Sequence, residues 1–188
     1  MKGSVKKLNA WLSLTASVLL LMHLCYIIIS YLMMHYDPVI IKVTGYLFVV
    51  IVGLHILLSA VSVFGSHETI SLLYYPLMNI RTIIQRIAGI VILVLLPIHT
   101  RTAAWISGHR IEEGGFTALI VVEIIFWAAV LLHVGASITR ALISLGYLET
   151  ERGMKRLDRL VWIVCAILFI LVVYVIIRTQ FAIINMKA

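Results

Sequence analysis

A chain of 188 residues that is 63% hydrophobic and only 12% charged, with a mean hydropathy of +1.12, is too apolar for a soluble domain; such domains run near half apolar and about a quarter charged. The net charge of +7 flanks apolar stretches, so it reads as orientation and lipid-headgroup charge and argues against a nucleic-acid partner. Cys25 and Cys165 both fall inside apolar runs, which excludes a disulfide framework or a zinc site and leaves two small hydrophobes.

A membrane helix needs about 20 mostly apolar residues, and five stretches qualify. The first spans about residues 11–34, behind the basic start Met1-Lys2-Gly3-Ser4-Val5-Lys6-Lys7. It lacks a small-residue cleavage site and is expected to stay in the mature chain. After the short connection His35-Tyr36-Asp37, Pro38 opens the second helix, about residues 38–64, where its missing N–H is harmless. Gly65-Ser66-His67 reads as a stop, and Leu72, Leu73, Tyr74, Tyr75 and Leu77 suit an amphipathic segment at the interface. The third helix covers about residues 82–105. Gly114-Gly115 is expected to break the chain before the fourth, about 116–145; Gly146 follows its end, and the fifth covers about 157–181. The expected fold is an all-α membrane protein, a five-transmembrane-helix bundle forming one domain over residues 1–188. Placing the N-terminus inside puts ten Lys and Arg on the inner side and five on the outer, so the N-terminus is expected to be cytoplasmic.

Four of these helices carry one deep histidine each: His23, His55, His99 and His133. A neutral imidazole in lipid is costly unless its ring nitrogens are engaged. A single intramembrane histidine is more often a packed residue or a step in a proton path. Four of them on four helices can make two pairs, and two pairs are what two six-coordinate haems need. Depth at 1.5 Å per residue puts His55 and His133 in the inner half, His99 in the outer half, and His23 near the middle or slightly outward. The expected pairs are therefore His55 with His133 and His23 with His99, at levels roughly 10 Å apart. His35, His67 and His109 fall in loops and read as solvated.

Gly53 and Gly135 each stand two residues from an inner-level histidine and Gly89 lies on the third helix; small residues let a flat macrocycle, or simply another helix, approach the backbone. Arg140 lies two turns from His133, and Arg86, Gln85 and Arg101 sit near the edges of the third helix. Guanidinium groups there suit haem propionates, with headgroup snorkelling as the ordinary alternative.

The stretch Ile84-Gln85-Arg86-Ile87-Ala88-Gly89-Ile90 followed by His99, and His133-Val134-Gly135 followed by Leu145-Gly146, resemble the cytochrome b membrane anchor of succinate:quinone oxidoreductases and fumarate reductases. The single-chain, five-helix, two-haem, menaquinone-linked form is the nearest variety. The resemblance runs through almost the whole chain, with Lys7-Leu8-Asn9 leading to His23, His55 in the second helix, and residues 152–159 before the last. In that family the first four helices each supply one haem ligand and the fifth none, and this chain follows the rule. The resemblance implies two haem b groups, and an exchangeable quinone of the menaquinone type. It implies a flavoprotein subunit and an iron–sulfur subunit as partners, docked on the cytoplasmic side of a bacterial inner membrane. The chain itself would be the electron-transfer subunit of such an enzyme, carrying no dicarboxylate chemistry, and a higher oligomer of the complex stays open.

Two departures stand out. Asn9 occupies a position where the close relatives carry histidine, and the first outer connection is short. Glu123 is the one acid deep in a helix, suited to a proton relay or to a polar residue facing the bundle. Quinone is expected at the outer rim near Arg101, Trp105 and His109. The rival readings are an anchor of another quinone-linked oxidoreductase, a haem-free channel or transporter relaying protons through histidines, and a purely structural anchor.

Overall fold

In a computed structural model, residues 2–33, 37–64, 76–107 and 113–187 are described. They form α1 (Lys2–Met33), α2 (Pro38–Phe64), α3 (Pro76–Ser107), α4 (Glu113–Leu145) and α5 (Glu151–Lys187), with no strand among the described residues. Each helix is long and apolar enough to cross a membrane, so the chain is an all-α, multi-pass membrane protein. Helix is the form expected, because lipid offers no partner for an open backbone N–H or C=O. His35, His67, His109, Arg110 and the interfacial stretch with Leu72, Leu73, Tyr74 and Tyr75 lie outside the described residues.

Three helices begin well before the apolar runs that announce them: α1 at Lys2, α3 at Pro76 and α5 at Glu151. Hydropathy marks the part that crosses lipid, whereas a helix continues until a cap or breaker ends it. Thr150 caps α5, its hydroxyl accepting from the Gly153 N–H at 3.2 Å. Asp37 caps α2, accepting from the N–H groups of Val39 at 2.8 Å and Ile40 at 3.3 Å, with Pro38 at the first helical position. The expected break at Gly114-Gly115 is not found: α4 starts at Glu113 and runs through both glycines. They sit in its first turn, where no N–H has an intrahelical partner to lose.

The chain divides into two compact units, to which α4 and α5 each contribute in part. The first comprises Met1–Tyr74 and Ser137–Val161. In it α1 and α2 pack antiparallel. The Asn9 amide donates to the Ser59 hydroxyl at 3.1 Å near one end, and Tyr26 meets the Asp37 backbone near the other. Asn9 is therefore a helix–helix clamp. The end of α4 is a glycine-dependent stop. Gly146 has φ of 83°, its N–H donates to Ile143 C=O, and the Tyr147 N–H donates to Leu142 C=O, both at 3.0 Å. Thr139 donates to Asp158 at 3.2 Å, joining α4 to the start of α5.

The second unit comprises Tyr75–Ala136 and Trp162–Ala188. Its buried centre is on α4, at Phe126, Trp127, Ala129, Val130 and Leu131. Here α3 and α4 run antiparallel: partners on α4 move from Gly135 to His133 to Glu123 as those on α3 move from Arg81 to Gln85 to His99.

Candidate functional site

The second unit holds His99 and His133, and the first holds His23 and His55. His133 on α4 faces the backbone of α3. Its Nδ1 lies 2.9 Å from the carbonyl oxygen of Gln85. A carbonyl only accepts, so Nδ1 carries the proton and donates it, and the ring's lone pair is on Nε2. The ring lies over Gly89, where a Cβ would sit 3.4 Å from it, in ordinary contact. Gln85 thus reaches the site through its main chain, a role invisible to a side-chain reading.

His99 is held differently. Its Nδ1 lies 2.8 Å from Oε2 of Glu123, and the two side chains are 23% and 9% exposed. With Glu123 ionised, the N–H donates to the carboxylate and the lone pair of a neutral ring is on Nε2. Phe126 stacks on the ring at 4.2 Å between centroids, and Trp127 meets it edge-on at 5.6 Å. Pro97, two residues earlier, leaves the Leu93 carbonyl without its usual helical donor. In the first unit His23 lies parallel to Phe48, with ring centroids 6.3 Å apart.

Within each unit the two histidines sit at different heights. Ten residues of α4 separate Glu123 from His133, and fourteen of α3 separate Gln85 from His99, which corresponds to roughly 15–20 Å along the helices. His55 lies seven residues beyond Phe48, the neighbour of His23, roughly 10 Å along the axis. Two imidazoles on one metal ion bring their nitrogens within about 4 Å, twice a metal–nitrogen bond. His99 with His133 does not meet that requirement. Among the described residues no three metal-ligating side chains converge.

The glycines divide. A Cβ on Gly135 would meet the Trp162 ring at 3.1 Å, so the space beside it is filled by α5. Gly53 has no atom within 4 Å of where a Cβ would stand. Of the expected propionate partners, Arg86 and Arg101 are exposed, while Gln85 and Arg140 are half-buried. The side chain of Trp105 and all of His109 lie outside what is described. Arg81 crosses to α4 and donates to the Gly135 carbonyl at 3.4 Å, two residues from His133.

Two of the four histidines are oriented as a ligand to haem iron would need to be. His99 and His133 are each oriented through Nδ1 by an acceptor, one a carboxylate and one a backbone carbonyl. These are the two kinds of partner that fix the tautomer of metal-ligating histidines. The missed signal was Glu123, whose relation to His99 spans two helices and 24 residues. Compared with known proteins, the chain matches no family model, no characterised protein and no solved structure.

Proposed function

We propose that this chain is a dihaem cytochrome b anchor that passes electrons between membrane quinone and a cytoplasmic flavoprotein and iron–sulfur pair, as in succinate dehydrogenases and fumarate reductases. The observation that carries the reading is the placement of one deep histidine on each of α1 to α4, two of them engaged through Nδ1 so that Nε2 is turned to a ligand. The proposed ligand pairs are His55 with His133 and His23 with His99. The spacing inside the second unit supports them, because His99 and His133 stand too far apart along α3 and α4 to share an iron. Held by those four histidines, haem b would supply one-electron transfer. Gln85 and Glu123 fix the ring orientations. Arg86, Arg140 and Arg101 offer charge to propionates, and the apolar helices exclude water around the centres. Quinone is proposed at the outer rim near Arg101, in the cytoplasmic membrane of a bacterium.

A specific observation favours one rival. The His99–Glu123 pair is a buried imidazole–carboxylate contact of the kind a proton relay uses. Against it stands His133, whose Nδ1–H ends on a backbone carbonyl that cannot release a proton onward. The deciding experiment is the reduced-minus-oxidised visible spectrum of four alanine variants. His55→Ala and His133→Ala are expected to lose one and the same haem, and His23→Ala and His99→Ala the other. Loss of the same haem by His23→Ala and His55→Ala contradicts the pairing, and four unchanged colourless proteins favour the relay.

A further inference from the structure

Glu123 is 7% exposed in the middle of an apolar helix. Its Oε2 accepts from His99, while Oε1 is buried with no hydrogen-bond partner among the described residues. A carboxylate with an unsatisfied oxygen in such a place is expensive. Neither packing nor helix propensity calls for it, since a leucine would fill the same space. His133 shows that Nδ1 of a deep histidine in this chain can be engaged by a neutral carbonyl. The carboxylate therefore brings something beyond orientation, and what it brings is charge.

Resting on the dihaem reading above, we propose that Glu123 is a positioning residue that lowers the reduction potential of the haem ligated by His99, leaving the haem of His133 untouched. A charge-assisted N–H···O⁻ bond draws the Nδ1 proton toward the carboxylate and makes Nε2 a stronger donor. A stronger donor and a nearby negative charge both favour ferric over ferrous iron, and the low dielectric of the helices weakens screening of that charge. Phe126 and Trp127 pin the ring from its face and edge, so the geometry holds when the charge is removed.

The test is a redox titration of the purified full-length protein, followed by haem absorbance, for wild type, Glu123→Gln and Glu123→Asp. Glu123→Gln keeps an oxygen that accepts from Nδ1–H but loses the charge. Two haems are expected to remain. One is expected to become at least tenfold easier to reduce, ~59 mV for a one-electron couple, and the other to stay in place. Glu123→Asp is expected to stay closer to wild type. Wild-type potentials in Glu123→Gln, or an equal shift in Glu123→Asp, overturn the inference while the dihaem reading stands. A wild-type protein without haem overturns both. A measurement on the unmutated chain guards against a variant that does not assemble. Redox-difference infrared spectra with ¹³C-glutamate are expected to show a carboxylate band that moves on reduction, and a silent carboxylate region overturns the inference.

Discussion

A histidine ring has two nitrogens, and the partner of one decides what the other can do. In this chain the partners differ in kind, a carbonyl for His133 and a carboxyl group for His99, yet both engage Nδ1. The glycines separate in the same way. Gly135 is a packing glycine pressed on Trp162, whereas Gly53 borders open space. Gly135→Ala is therefore expected to destabilise the protein by about 1–3 kcal/mol through overpacking, read as a lower midpoint of thermal unfolding in detergent. Gly53→Ala is expected to leave that midpoint unchanged or slightly raised, because alanine is the better helix former. Equal loss in the two variants contradicts the division.

At the scale of the helix, caps set the ends and hydropathy sets the middles. Gly146 holds φ of 83° at the end of α4, and two backbone bonds close around it. Gly146→Ala is expected to cost about 1–2 kcal/mol, the penalty of a Cβ in the left-handed region, measurable by unfolding and by increased hydrogen exchange at Tyr147. The five spans and the stop at Gly146 were legible in the sequence because lipid imposes long apolar runs and left-handed turns demand glycine. The early starts of α1, α3 and α5 were not, since Lys6, Lys7 and Arg156 carry helix as readily as leucine does while lowering hydropathy. The pairing of Glu123 with His99 was also hidden. Each helix reads as a separate segment, and only the antiparallel register of α3 on α4 brings those two residues to one level.

For the molecule as a whole, the distribution of ligands matters more than any one of them. Four helices bear a deep histidine, the fifth bears none, and the fifth instead fills space through Trp162 against Gly135. The two histidines of the second unit stand too far apart along their helices to share an ion. A proton path through these residues needs no cofactor, and a structural anchor needs neither haem nor His99–Glu123. What separates the three is colour. The most direct test is a haem count per polypeptide on the purified chain, expressed with ample haem supply, with the reduced-minus-oxidised spectrum recorded alongside. Two b-type haems per chain is the expected result, and a correctly inserted chain that binds none contradicts the account.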